Sequence, residues 1–185
     1  MSKTLIINGS PRADGDTTAL LRRLRLDLRG ECTELSAYRA NISPCVDCRS
    51  CWTVRGCVID DDMRVIYADD FDNVVIASPI YLSNLPGPLL SVASRFQIHH
   101  GAEHKLHDPF TLRPKKAGLI LVGGGSKGDK GGALHSARVM FRMMNARGFE
   151  EHTVLSLRTD MLPAALDASA LEGVSELARW LRDAE

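Results

Sequence analysis

No charge of either sign is in surplus: 23 Lys and Arg balance 23 Asp and Glu across 185 residues, for a formal net charge of zero. Without a basic excess to neutralise phosphates, nucleic acid and anionic membrane surfaces are excluded as charge-driven partners. No apolar run approaches the ~18 residues that span a bilayer. The start Met1-Ser2-Lys3-Thr4 leads directly into a short apolar run, with no signal-peptide apolar region or cleavage site. The expectation is therefore a soluble, cytoplasmic chain. Internal repeats, low-complexity tracts and linkers are lacking too. So are the G-x-G-x-x-G and G-x-x-x-x-G-K-[ST] phosphate motifs, and no Ser-His-Asp order points to hydrolysis. Disorder is excluded because 44% of the residues are hydrophobic and only 25% are charged, which is enough apolar material for a core. The length suits one domain, and residues 1–185 read as one, with a cysteine-rich insertion loop at about 42–60.

Short β-branched runs alternate with longer helical patterns. Thr4-Leu5-Ile6-Ile7 is continuously apolar, as in a strand buried on both faces. Leu20, Leu21, Leu24 and Leu28 then share one helical face, while Arg22, Arg23, Arg25 and Arg29 form a solvated one. A second strand is predicted over Thr33–Tyr38, a short helix from about Asp61 to Ala68, and a third strand over Asn73–Ala77. A helix over Leu89–Phe96 follows, with Pro86 and Pro88 at its entrance. Next come a strand over Lys116–Val122, a helix over Leu134–Ala146 stopped by Gly148, and a strand over Thr153–Leu157. The last helix carries Leu171, Val174, Leu177, Ala178 and Leu181 on one face. This alternation predicts an α/β fold, a flavodoxin-like doubly wound sheet of five parallel strands in the order 2-1-3-4-5 with helices on both faces. Such sheets bind ligands beyond the carboxyl ends of their strands, where the winding reverses. The unusual residues of this chain follow its first, third and fourth strands.

The first of these loops, Asn8 to Thr18, has small residues that let backbone N–H groups converge on an anion, hydroxyls at Ser10, Thr17 and Thr18, and a charge at Arg12. The same run also fits an ordinary strand–helix turn capped by Asp14 or Asp16. The second, Ser78 to Pro88, offers polar backbone and the apolar faces of Tyr81 and Leu82. The third, Gly123-Gly124-Gly125-Ser126-Lys127-Gly128, permits close backbone approach to a ligand, and Gly128 to Gly132 reads as a lid.

Four of the five cysteines crowd together as C-x2-C-x2-C-x5-C, at Cys45, Cys48, Cys51 and Cys57. An odd total in a chain without an export signal argues against a disulfide framework. Zinc sites usually use two separated C-x2-C hairpins, whereas three cysteines spaced by two follow the iron–sulfur pattern, with a longer last gap and no following proline. A loop of free thiols is the other reading of the same residues. Cys32 is expected to be a small buried hydrophobe. His99, His100, His104 and His107 are read as a solvated loop, with metal binding through His100 and His104 as the lesser alternative, and Met140, Met143 and Met144 as core or interface.

The run N-G-S-P-R…T resembles the signature of the flavodoxin-like FMN reductases. The resemblance implies an FMN phosphate gripped by Ser10, Arg12, Thr17 and Thr18. Asp16 departs from the pattern, where an amide or neutral residue is usual, and is expected to point back as a cap. Ser78-Pro79-Ile80-Tyr81 looks like the family's S-P-x-Y loop, which implies flavin-ring contacts from Pro79, Ile80, Tyr81 and Leu82, flanked by Gly124 and Gly125. The cysteine spacing ahead of Asp60-Asp61-Asp62 resembles the iron–sulfur flavoproteins, and the likeness extends over nearly the whole chain. It implies electron transfer between FMN and a [4Fe-4S] cluster on Cys45, Cys48, Cys51 and Cys57. It further implies NAD(P)H or an electron carrier as donor, no acid–base side chain, and a homodimer or homotetramer in which the cysteine loop approaches a neighbour's flavin. Two other functions stay open: an NAD(P)H-dependent FMN or quinone reductase without a cluster, and a non-enzymatic thiol redox sensor or zinc-stabilised module.

Overall fold

The computed structural model describes residues 2–125 and 129–182. Its elements are β1 (Ser2–Asn8), α1 (Asp16–Asp27), β2 (Gly30–Ser36), α2 (Arg64–Tyr67), β3 (Asn73–Pro79), α3 (Gly87–Ser94), α4 (Gln97–His104), β4 (Lys115–Gly123), α5 (Gly131–Met143), β5 (Ala146–Arg147), β6 (Thr153–Leu157) and α6 (Ala168–Arg182). All ladders are parallel, in the order β2-β1-β3-β4 with β5 and β6 both on the outer edge of β4. This is the expected 2-1-3-4-5 arrangement, with β6 as its fifth strand and the two-residue β5 added below it.

The period of two along each strand sorts the core into two layers. Leu5 and Ile7, Val74 and Ile76, and Leu119 and Leu121 face α3 and α5. Ile6, Val75, Ala77, Ile120 and Val122 face Leu20, Leu21 and Leu24 of α1 and Val174, Leu177 and Leu181 of α6. Met140 and Met144 lie in the first layer and Met143 packs against it, as core residues. None of the described helices is long and apolar enough to cross a membrane.

The short helix expected from about Asp61 to Ala68 spans only Arg64–Tyr67, and three further departures from the sequence reading have a cause in the packing. β2 begins at Gly30 because its register with β1 runs from Ser2↔Gly30 to Asn8↔Ser36. Ala37 then turns away by donating its N–H to the Asn8 carbonyl. Residues 99–104 are helical, not a solvated loop, because Ile98, Gly101 and Ala102 bury one face of α4. The helix expected to reach Ala146 stops at Met143, since Asn145 adopts φ 52° and Ala146 pairs with Lys115. Cys32 is only half-buried, packed at the edge of the α1/α6 layer, and burial pushes its thiol pKa up.

The winding reverses between β1 and β3, and glycine brings their two loops together. A Cβ on Gly9 would stand 2.8 Å from Leu89 Cδ2 and 2.9 Å from Ser78 Oγ. Gly9→Ala must therefore push the first loop off the third strand and α3. A melting temperature lowered by the equivalent of about 1–3 kcal/mol is expected, and thermal unfolding checks it.

Candidate functional site

The first loop is held from within. Asn8 Oδ1 accepts the Ser10 N–H at 2.8 Å, and the Ser10 and Thr18 hydroxyls both donate to the Arg12 carbonyl, at 3.2 and 2.8 Å. These bonds shape the turn around Arg12, whose own side chain is exposed. The cap of α1 is Gly15, with no side-chain bond. The expectation that Asp14 or Asp16 caps this helix is thus corrected. Asp16 is its first residue, and its carboxylate accepts the Ala164 N–H at 2.9 Å while standing 3.5 Å from Arg12 Nη2. No cap side chain satisfies the first-turn N–H groups of α1. Thr17 is buried behind them.

The second loop packs beside the first. Ile80 N–H donates to the Val122 carbonyl at 2.8 Å, and Tyr81 and Asn84 exchange backbone bonds of 2.9 Å around a two-residue turn. Leu82 and Ser83 at its tip take φ 47° and 65°, which is costly for residues with a Cβ. Asn84 holds the turn by accepting from Ser136 Oγ on α5 at 2.9 Å, and the Ser83 carbonyl accepts the Ala133 N–H. The strained tip displays Leu82 fully and Tyr81 about half to solvent. Pro79 ends β3 beside Val122. In the third loop a Cβ on Gly124 would come within 2.8 Å of the Asp160 carboxyl carbon, and Gly123 faces Ile80 and Leu157. Gly125 is exposed, and Ser126 to Gly128, including the start of the expected lid, lie outside the described residues. The structure thus gathers Ser10, Thr17, Thr18, Pro79, Ile80, Tyr81, Leu82 and Gly124 along one edge of the sheet, with Arg12 on its exposed rim.

The cysteine loop occupies another place. Cys45, Cys48, Cys51 and Cys57 line one cavity of about 180 Å³ with Arg95, Gln97, Ile98 and His100. All four are free thiols, and Cys48 is the exposed one. A hydrogen bond from the Ser50 hydroxyl holds the Cys48 thiol below its ordinary pKa, whereas burial pushes Cys51 up. Asp47 and Arg49 adopt φ 51° and 61°, and Arg49 leads into a 3₁₀ turn over Ser50–Trp52. A left-handed residue before such a turn aims successive N–H groups into one concavity, a backbone form common at phosphate and iron–sulfur sites. Among the described residues, no three of His, Cys, Asp or Glu are placed to share one metal ion, His100 and His104 included. Those two rings contact each other at a tilt of 54°, 4.7 Å between centroids.

Two residues the sequence reading missed fix this loop. Arg95, just after α3, pairs with Asp61 at 2.5 Å, donates to the carbonyls of Ser43 and Ile59, and reaches Cys57 Sγ at 3.3 Å. Burial opposes ionisation of Asp61, yet Arg95 and the N–H groups of Ser43 and Met63 hold its carboxyl below the usual range. Gly101 is the second: a Cβ there would stand 2.4 Å from the Cys51 carbonyl oxygen. Nothing local announces either role, because both depend on which helix the loop folds against.

The sequence profile of the NADPH-dependent FMN reductases matches residues 2–157. The chain belongs to that family, one of flavin-dependent oxidoreductases. Two iron-sulfur flavoproteins of Methanocaldococcus jannaschii are similar to this FMN reductase family member. One is 29% identical over 133 residues, 69% of this chain and 65% of its own; the other is 31% identical over 144 residues, 75% and 70%. The chain thus spans about two thirds of the length of these relatives. An FMN-dependent NADH-azoreductase of Bacillus anthracis, solved in complex with FMN, superposes with a TM-score of 0.68 over 99% of this chain and 100% of that one. Its 18% identity makes that a likeness of fold.

Gly101 carries a prediction of inverted sign. Inside a helix Gly→Ala ordinarily stabilises by about 1 kcal/mol. In this FMN reductase family member Gly101→Ala is expected instead to lower the melting temperature and to speed reaction of the loop cysteines with a thiol reagent, as Cys51 is displaced.

Proposed function

We propose that this chain binds FMN across the loops after β1, β3 and β4, holds a [4Fe-4S] cluster on Cys45, Cys48, Cys51 and Cys57, and passes electrons between the two. The observation that carries the reading is the lining of one cavity by four free thiols in a member of an FMN reductase family. The names of the similar iron-sulfur flavoproteins support it. The residues fit both groups. The first loop offers the uncapped N-terminus of α1 and the Arg12 charge to a phosphate, and Gly9 lets the loops after β1 and β3 pack together there. The cysteine loop offers four sulfur donors to one cavity, the ligand type and number that a [4Fe-4S] cluster takes.

Flavin exchanges either a hydride or single electrons and the cluster single electrons, so no side chain need act as an acid or base. The protein's part is position and field. The helix N-terminus and Arg12 attract the anion, Ile80 and Tyr81 lie under strained turn geometry that fixes them, and the cysteine loop is clamped at its base by Asp61 and Arg95. Eight residues at about 1.5 Å each make α3 roughly 12 Å long. The ring loop lies at its start and Arg95 at its end, so the two centres stand at opposite ends of one helix. We propose a homodimer or homotetramer in which a cysteine loop faces a neighbour's flavin, with NAD(P)H or an electron carrier as donor. Sedimentation of the loaded protein reads the assembly.

A second reading, an NAD(P)H-dependent reductase of FMN, quinone or azo substrates using flavin alone, draws on the azoreductase and quinone reductase among the proteins of similar fold. Iron and sulfide analysis after anaerobic reconstitution separates the two. About four irons per chain beside bound FMN is expected, and FMN without iron would leave the second reading. For the phosphate loop, Arg12→Ala is expected to weaken FMN binding roughly tenfold, the scale of a charge-assisted hydrogen bond at an exposed site. Asp16→Asn keeps the acceptor for Ala164 while removing a competing anion, and should strengthen it. Fluorescence titration of FMN checks both, and unchanged affinity in Arg12→Ala would show the cradle to be elsewhere.

A further inference from the structure

Arg95 is 1% exposed, the bulkiest fully buried side chain described and the only Arg among them. Charged side chains are almost never buried to that degree unless paired. Its Nη1 is fully spent on structure, donating to Asp61 at 2.5 Å and to the Ser43 carbonyl at 2.9 Å. One bond from Nη2 goes to the Ile59 carbonyl at 3.2 Å, and the other to Cys57 Sγ at 3.3 Å. A neutral thiol is a weak acceptor, so a buried guanidinium N–H aimed at one gains little. A thiolate ligand is a strong acceptor, and the same contact then becomes charge-assisted. The Nε of Arg95 is buried without any acceptor, on a side chain that lines the cysteine cavity. Two of its donors are thus left over from the structural work, one on a sulfur and one unpartnered.

We propose that Arg95 is a positioning residue that holds Cys57 by an N–H···S bond and thereby raises the potential at which the cysteine-bound cluster accepts an electron. The proposal rests on the cluster reading above and adds to it a residue that is not a ligand. Reduction adds one electron, supplied by the reductant, and breaks no bond. The added negative charge spreads onto the ligand sulfurs, and a hydrogen bond to a sulfur favours the more negative state. A peg that only braced the loop would leave the potential where it was.

The test is a mediated dithionite titration of anaerobically reconstituted protein, followed by the absorbance and electron paramagnetic resonance of the cluster, with iron counted first. In Arg95→Lys one ammonium replaces the fork and cannot serve Asp61 and Cys57 together. A cluster with full iron content and a reduction equilibrium shifted against the electron by on the order of tenfold is expected, or ~59 mV more negative for a one-electron couple. Full iron with an unchanged potential overturns the role of Arg95 while leaving the cluster in place. An iron-free wild type overturns the cluster reading itself. Should Arg95→Lys lose its iron, the wild-type fold decides by a second measurement. Protein labelled with ¹⁵N in the arginine guanidinium alone, with Arg49→Lys and Arg55→Lys to remove the loop's own two arginines, should show a labelled nitrogen coupled to the reduced cluster by pulsed resonance. Absence of that coupling overturns the proposal.

Discussion

The pairing of β3 with the free edge of β1 is the constraint on which the rest of the molecule depends. Thr4 to Asn8 face Asn73 to Ala77 in register, while the other edge of β1 already carries β2. The chain must therefore reverse its winding at β1, which sends α1 to one face and α3 to the other. The reversal brings the first two loops together at Gly9. It also fixes where α3 begins and ends, and so where the loop after β3 and the cysteine loop stand. A single topological choice sets both candidate centres.

The cysteine loop leaves Val46, Val54 and Val58 exposed and has no fully buried residue of its own, so its shape comes from what it is tied to. Asp61 gathers the N–H groups of Ser43 and Met63, and Arg95 gathers the carbonyls of Ser43 and Ile59. Their mutual bond closes the two ends of the loop against the end of α3. Breaking a buried ion pair by removing one partner costs about 3–5 kcal/mol, because the other charge is stranded. The Trp52 ring adds a second tie, with Arg49 over it at 4.8 Å and Lys105, just beyond α4, at 4.5 Å. The loop is thus held at its base by buried charge and at its outer turn by cation–π contact.

Much of this was legible in the residues. Continuous apolar runs at Leu5-Ile6-Ile7 and Val74-Val75-Ile76 announce strands covered on both faces, and alternation with amphipathic helices gives the sheet order. Residue types at Ser10, Arg12 and Thr17 mark the first loop because anion sites need small residues and donors at a helix start. Cap geometry was not legible: Asp16 has the right type for a cap, but Ala164, 148 residues away, claims its carboxylate. The helix α4 was hidden for a similar reason. Its polarity and Gly101 favour a loop locally, and only contact with Cys51 turns that glycine into a packing requirement. Arg95 could not be read at all, since a lone arginine after an apolar helix looks solvated until Asp61 folds beneath it.

Zero net charge is compatible with two strongly polarised local sites because neither needs a surplus. At the first loop, Arg12 is largely exposed and stands 3.5 Å from a partly buried Asp16, so water screens the pair from the Arg12 side and the uncapped helix start keeps its positive field. At the cysteine loop the opposite regime holds. Asp61 and Arg95 are almost wholly withdrawn from solvent, where charge acts over longer distances, and their opposing charges cancel at range while the guanidinium alone touches sulfur. A contact dipole of that kind leaves the rest of the fold undisturbed but biases the one atom it meets. The balance of 23 against 23 therefore says nothing about field strength where electrons would move; burial and direction decide it.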